Sequence, residues 1–554
     1  MDEKHKECYL ERKDMWHRSI QETVNQAKIR GLCFYGAGYW GKIAYDIFKE
    51  FGVLPICFCD DDIEKQKSKY CGVDVLSLEE ACRDYPDAVF LPCIDVTKKV
   101  GTWNRLPYHH MLQKLKEFNV YDSNSELRIL NYVFLLDLDN LKEADIQDTE
   151  EIKAEYIKKL LILNHMSNSG SYYLEQLLDG HPNILSLPYS SHTYWILYQN
   201  RLKFLEDEEL LIEMMAQMLG YMHSKYENLF CIREHKFEEY CAGKDGQFIL
   251  DVLIDPNQFY YCLKRQFNGK IKLESYAHML KVYVAAYSNC LNKKRDDNTE
   301  YWLFYHMHMA DFDVSKMTEF FSDKDFERIE NLFIIREPVQ QCFSWIKRFA
   351  LVQRRSTFLK KDELFSQTLK SETGKMLKKK NGYNNVKVIR FEDLKYCQKD
   401  TITALCKWLD IPYMDILLTT TLNGIMIYFP TYTKDGVKYI TGNDTSAISK
   451  KDFSELFTLW DEVRLNIIYA KFKQTYGYEC QTPDFEQFSK EFQQEMLKEN
   501  FKFCDIVQQV LDEEGLPEDY YDVNQYVKEL YQTYMDTYDD NTEYYDYIKP
   551  EVTE

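Results

Sequence analysis

The chain has 554 residues, a formal net charge of −21 and a pI near 5.2; at about 150 residues per domain, that length predicts three or four domains with ample cores. The acidic balance excludes general nucleic-acid binding, which needs a basic surface to displace counterions, and adsorption to an anionic membrane. There is no apolar run near the roughly 18 residues of a bilayer span, the first segment (MDEKHKECYLERKDMW) is charged unlike a signal peptide, and the 16 cysteines read as reduced thiols, so a cytoplasmic protein is expected.

Residues 1–30 are expected to form a helix, and from Gly31 the pattern becomes βαβ. Leu32-Cys33-Phe34-Tyr35 is a short apolar strand. Gly36-Ala37-Gly38-Tyr39-Trp40-Gly41 spells GxGxxG, and a helix follows through Ile43, Ile47 and Phe48. A second strand over Val53–Cys59 ends at Asp60, 24 positions after Gly36 (60 − 36), near the offset at which an acid meets a ribose. Gly36, Gly38, Gly41 and Asp60 are therefore candidate nucleotide-binding residues. The same glycines also suit a tight turn with close helix packing, and both readings stay open. Cys57-x-Cys59 lacks the two-residue gap of a redox or zinc pair, so no metal site is expected. With the following DDDIEKQKSKYCGVDVLSLEE, residues 31–145 resemble the small Rossmann-like domains fused to sugar-modifying enzymes. That resemblance implies a nucleotide-sugar ligand more than NAD. Leu130–Glu155 is acidic and polar and reads as a linker.

Leu160–Leu187 (LLILNHMSNSGSYYLEQLLDGHPNILSL) reads as a buried strand, a turn of small polar residues, and a helix with Tyr173, Leu174, Leu177 and Leu178 on one face. His181-Pro182 closes that helix. A strand, small turn and helix N-terminus aim backbone N–H groups and the positive end of the helix dipole at one spot, which suits a phosphate. The Walker lysine is missing, which disfavours a triphosphate. Asn331–Ile335 is a second buried strand, followed by Arg336-Glu337-Pro338 and, eight positions after Arg336, Ser344. A guanidinium forks two phosphate oxygens, and a serine two turns along the next helix can meet a third. A third strand runs VKVIRFEDL from Val386 to Leu394, followed by TITALCKWLDIP.

Together these segments resemble the PAPS-dependent sulfotransferases over Tyr156–Tyr478. Asn168, Ser169, Gly170, Ser171 and Tyr172 take the 5′-phosphosulfate loop positions, and Arg336 and Ser344 the 3′-phosphate positions. Asn168 stands where that family has a basic residue. The resemblance implies α/β architecture throughout: an N-terminal Rossmann-like domain, a sulfotransferase-type parallel-sheet P-loop-like domain (156–480) with helical insertions over 195–300, and an acidic, tyrosine-rich helical extension (481–554). The extension is expected to dock on the body or on a partner subunit, which leaves a homo-oligomer open.

Tyr301–Met309 (YWLFYHMHM) reads as a strand with His306 and His308 on one face. In the resembling family this strand end supplies a sulfonate contact and the general base. His306 and His308 would take those roles, since an imidazole is suited to accept the acceptor's proton near neutral pH. A pair of core histidines is the structural alternative. His192, near a stretch where carbohydrate sulfotransferases use a glutamate, is a second candidate for the base. Lys434, in a turn after Thr433, is a candidate nucleotide contact by the same resemblance, which has a late basic loop folding over the nucleotide, and a solvated hairpin is the structural alternative. The expected activity is transfer of a sulfonate from PAPS to a hydroxyl or amine of a small-molecule or glycan acceptor. The alternatives are a scaffold of the same fold that binds nucleotide without turnover and, weighed against by the absent lysine, a kinase-like enzyme.

Overall fold

The computed structural model describes residues 18–93, 107–126, 151–165, 169–187, 256–267, 275–291, 300–307, 324–352, 385–433, 436–441, 453–479, 500–513, 522–525, 528–529 and 543–551, with isolated positions between 212 and 254 and at 321 and 377. The chain forms two compact units. One takes in Met1–Tyr156, Leu187–Thr299 and Ile425–Ile440, and the other Ile157–Ser186, Glu300–Gly424 and Thr441–Glu554.

In the first unit, helix α1 (18–30) leads into β1 (Leu32–Tyr35), α2 (Tyr39–Glu50), β2 (Cys57–Cys59), β3 (Lys69–Tyr70), β4 (Val73–Leu76), α3 (Leu78–Asp84), β5 (Val89–Pro92) and α4 (Pro107–Glu117). The sheet order is β3-β4-β2-β1-β5, parallel except for β3 against β4. All four β1 residues are buried, because helices cover both faces. Phe34 meets Phe48 and Phe58 on one face, while Cys33, Cys57 and Phe90 meet Leu78, Met111 and Leu115 on the other. The second strand is shorter than the expected Val53–Cys59. Val53 N–H instead donates to Phe48 O and closes α2, and Pro55 has no N–H for a ladder. Ser77 and Glu80 form a capping box that starts α3.

Later in this unit come α6 (Pro256–Phe267), α7 (Tyr276–Cys290) and a hairpin of Phe429–Thr433 with Gly436–Ile440. The segment expected as a linker is pinned at its end. Asn289 of α7 exchanges two hydrogen bonds with the Ile152 backbone, Gln266 of α6 donates to Ile152 O, and Arg265 pairs with Glu151 at 2.8 Å.

The second unit contains β6 (Ile157–His165), α5 (Ser171–Leu178), β7 (Ile184–Ser186), β8 (Tyr301–Met307), β9 (Arg328–Ile335), α8 (Pro338–Ile346), β10 (Val386–Arg390), α9 (Phe391–Tyr396), α10 (Gln398–Leu409), α11 (Leu459–Ile468), α12 (Ala470–Thr475), α13 (Lys502–Glu513) and β11 (Asp546–Tyr547). Its six strands run in the order β11-β10-β9-β6-β8-β7, every neighbouring pair parallel. The chain passes from β6 outward to β7 and β8 on one side, then to β9, β10 and β11 on the other. The strand order therefore reverses at β6, and crevices for ligands form at the carboxyl ends of strands at such a point.

Leu174, Leu177 and Leu178 of α5 are fully buried against Leu161, Leu163 and Trp302, each contributing about 1.5–3 kcal/mol by burial. On the opposite face Phe333 and Val388 meet Phe472, Tyr476 and Tyr545. The C-terminal extension is not wholly helical among its described residues. β11 adds a parallel strand to the open edge of β10, with Phe333 and Tyr545 stacked at 6.5 Å, and so covers backbone groups that would otherwise lie exposed. α13 buries Phe503, Val507 and Val510 in a separate cluster with α8 and α11.

Candidate functional site

At the carboxyl end of β6, Gly170 is the N-cap of α5, with φ +93° and no side-chain cap. Its conformation is left-handed, and a Cβ there would stand 2.2 Å from Phe391 Cδ2. Glycine is required on both counts. The first helical N–H groups of α5 therefore face the loop without a capping side chain. Ser169 is fully buried, and its hydroxyl has no hydrogen-bond partner among the described residues. A buried hydroxyl with nothing to bond is costly unless a ligand oxygen supplies the partner. Ser171, read from the sequence as part of the turn, and Tyr172 open the helix. Asn168 lies outside the described residues.

The far end of the motif is structural. Asp179 accepts from Ser186 Oγ, Thr421 Oγ1 (3.0 Å) and Gly424 N (2.8 Å). His181 Nε2 lies 2.9 Å from Pro412 O, and its Nδ1 accepts from Asn183 N at 3.1 Å. Both residues lock the end of α5 to the segment after α10.

One strand over, Arg336 and Glu337 follow directly after β9. Glu337 caps α8 by accepting from Gln340 N at 2.7 Å, Pro338 fits the first helical turn, and Lys473 pairs with Glu337 at 2.9 Å. Arg336 lies with its guanidinium 5.0 Å from the centre of the Phe391 ring, so Phe391 supports both Gly170 and Arg336. Burial holds the Arg336 guanidinium below its usual value, partly offset by the Glu392 and Glu337 carboxylates. A half-buried arginine among apolar and acidic groups gains from an anion that replaces lost water. Glu392 accepts from Glu337 N and from Tyr478 OH, both at 2.9 Å, and so fixes the turn that carries Arg336. Burial pushes the Glu392 carboxyl up. Ser344 lies on α8 after Arg336, and its Oγ donates to Gln340 O at 2.7 Å. Phe391 and Glu392 fall inside the VKVIRFEDL segment, but their roles depend on partners far away in sequence.

On the other side of β6, His306 ends up near the carboxyl end of β8 with its Nδ1 2.5 Å from Glu175 Oε2 of α5. The His side chain is fully buried and the Glu side chain is 8% exposed. The rings of His165 (β6) and Tyr172 (α5) meet His306 edge-on at 4.8 and 4.9 Å. Neither His165 nor Glu175 was picked out by sequence pattern: His165 fell in the stretch read as a polar turn, and β6 instead runs through it. His308, His192 and Lys434 lie outside the described residues.

In the first unit, Gly36 has φ +120° and a Cβ there would meet Cys93 O at 2.6 Å. A Cβ at Gly41 would meet Gly36 O at 2.2 Å, so these two glycines have packing reasons, while Gly38 faces open space. Asp60 is committed within the protein: it accepts from Ala37 N at 2.8 Å and Asp62 N at 3.0 Å, and pairs with Lys65 at 3.0 Å. A ribose would have to compete with all three. No group of three or more histidine, cysteine or acidic residues able to hold a metal occurs among the described residues, and no helix there is long and apolar enough to cross a membrane.

No family profile and no curated protein matches this sequence. Among solved structures the chain is similar, at 12% identity each, to three sulfotransferases. The domain from the Synechococcus PCC 7002 olefin synthase gives a TM-score of 0.24 and covers 72% of this chain and 99% of its own. The domain from the curacin biosynthetic pathway gives 0.25, with 50% and 84% covered. A sulfotransferase from Mycobacterium avium gives 0.31, with 84% and 98% covered. Likeness at this level carries no argument about fold or chemistry.

Proposed function

We propose that the second unit transfers a sulfonate from PAPS to a hydroxyl or amine, on a carbohydrate acceptor. PAPS is a substrate here, consumed in each turnover. One observation carries the reading. The uncapped N-terminus of α5 with the buried Ser169 hydroxyl, which has no hydrogen-bond partner among the described residues, and the half-buried Arg336 just after the adjacent parallel strand share one support, Phe391. Two anion-seeking features one strand apart suit a ligand with phosphate groups at both ends of a nucleoside, as PAPS has. The turn amides and Ser169 would hold the phosphosulfate end, and Arg336 with Ser344 the 3′-phosphate. Chemistry is then in-line displacement at sulfur, its developing charge met by the α5 amides. The first unit would hold a nucleotide-sugar over Gly38.

The test is calorimetric titration of PAP into the wild-type protein and into Arg336→Ala. Loss of a charge-assisted contact should cost about 1.5–3 kcal/mol, at least tenfold in affinity. A wild type that does not bind PAP would sink the proposal. A second reading follows from Asn168, which offers no cation at the loop: nucleotide binding without turnover, in a scaffold. PAP binding with no PAP release from PAPS across a saccharide panel would select it. ATP consumption would select a kinase-like activity instead.

A further inference from the structure

We infer that Glu175 and His306 form a carboxylate–imidazole dyad in which His306 takes the acceptor's proton and Glu175 is its positioning residue. This rests on the sulfonate-transfer reading above. The contact is Glu175 Oε2 to His306 Nδ1 at 2.5 Å, between two side chains closed to water. A carboxylate on Nδ1 fixes the proton there and leaves Nε2 carrying the lone pair, the tautomer that accepts a proton. Water exclusion strengthens the ion pair that forms once Nε2 is protonated, because screening is weak in a buried site. Burial also means that the proton must come from a group seated in the site and not from bulk solvent.

The dyad lies where it is needed. His306 is on β8 and Glu175 on α5, the helix that starts at Gly170, and Tyr172 in the first turn of α5 touches the imidazole edge-on. Among the described residues, His165 from β6 and Tyr172 and Glu175 from α5 face His306, and of these Glu175 alone is a carboxylate. In the step itself the acceptor oxygen forms a bond to sulfur, and the bond from sulfur to the bridging phosphate oxygen breaks. The electron pair leaves with PAP, and the acceptor proton moves to His306 Nε2. Glu175 stays ionised throughout. This assigns to His306 the proton-accepting role that the family resemblance implied for His308.

The test compares wild type, Glu175→Gln, Glu175→Asp and His306→Asn in the full chain. Three readouts are used: calorimetry with PAP, PAP release from PAPS against pH with a saccharide panel, and the far-downfield imidazole proton in histidine-labelled protein. The Glu175→Gln variant is expected to bind PAP as wild type does, to lose PAP release by about 10²-fold or more, and to lose the downfield proton. A base must be neutral to work, so the rate falls on the acid side. Without the carboxylate the imidazole holds its proton less tightly, and that acid limb should move to lower pH. Partial recovery in Glu175→Asp would support positioning over simple packing. An unmoved acid limb, or turnover in Glu175→Gln at the wild-type rate, overturns the dyad. A wild type that fails to bind PAP while keeping the downfield proton overturns the sulfonate-transfer reading, and the base role with it.

Discussion

Replacing Gly170 by alanine tests the loop geometry on which the nucleotide site depends. Two penalties are visible. The left-handed backbone at φ +93° costs an L-residue about 1–2 kcal/mol. The new methyl would start 2.2 Å from Phe391 Cδ2 and 2.6 Å from Cε2, where ordinary carbon contacts lie at about 3.5–4.0 Å. The ring must withdraw by more than an ångström, and overpacking of this kind costs about 1–3 kcal/mol. The sum is about 2–5 kcal/mol, read as a fall in the urea midpoint at constant slope. Because the Arg336 guanidinium rests on that ring, a displaced ring also carries Arg336 off its position, and PAP affinity should drop along with stability. The double variant Gly170→Ala/Phe391→Ala separates the parts: removing the ring deletes the steric penalty and leaves the backbone one, so the cycle should show about 1–3 kcal/mol of coupling. A Gly170→Ala variant within about 0.5 kcal/mol of wild type, or a cycle with no coupling, would falsify this account of the loop.

Glu392→Gln should make stability less dependent on pH. Burial raises the folded carboxyl above its unfolded value, so the folded state holds the extra proton and wild-type stability falls as pH rises upward from about 4.5; the glutamine has no such loss, and urea unfolding at pH 5 and pH 7 should show the wild type losing more. Tyr547→Phe removes the 3.0 Å donation to Asp393 that ties β11 to α9, and should cost about 0.5–1.5 kcal/mol by denaturant titration without changing PAP affinity. His181→Ala deletes two part-buried hydrogen bonds, to Pro412 O and from Asn183 N, and should cost about 1–3 kcal/mol, with a midpoint shift and no new pH dependence of PAP release.

The features that were legible in the amino-acid pattern are those written in adjacent residues. Leu160–Leu163 followed by small polar residues and a leucine-faced helix is a local signal, and β6, Gly170 and α5 stand where that signal puts them. Arg336 after NLFII and before a proline is equally local, and it lies between β9 and α8. What stayed hidden is long-range. Glu175 and His306 are 131 positions apart, and a glutamate among leucines on a helix looks like a solvated face until β8 lies beside it. Glu392 reads as one acid of an acidic pair, yet its work is to hold the backbone of Glu337 on a neighbouring strand. The edge strand β11 is only two residues long and comes from an acidic, tyrosine-rich stretch whose composition suggested helices; it pairs because β10 leaves an open edge and Tyr545 finds Phe333 beneath it. Pro55 was visible in the sequence and should have shortened the second strand, since a residue without an N–H cannot join a ladder from the middle.

The same distinction explains why the glycine loop of the first unit carries less functional weight than its motif suggested. Gly36 and Gly41 are glycines because a Cβ would strike Cys93 O and Gly36 O, contacts that any close-packed strand–turn–helix would impose with or without a ligand. Asp60, which spacing assigned to a ribose, instead holds the loop by accepting from Ala37 N and pairing with Lys65. In the second unit Ser169 Oγ is buried and has no such partner among the described residues. A loop that buries, at a helix N-terminus, a hydroxyl without a partner among the described residues has a free-energy reason to bind an anion, which is why the catalytic proposal rests on the second unit.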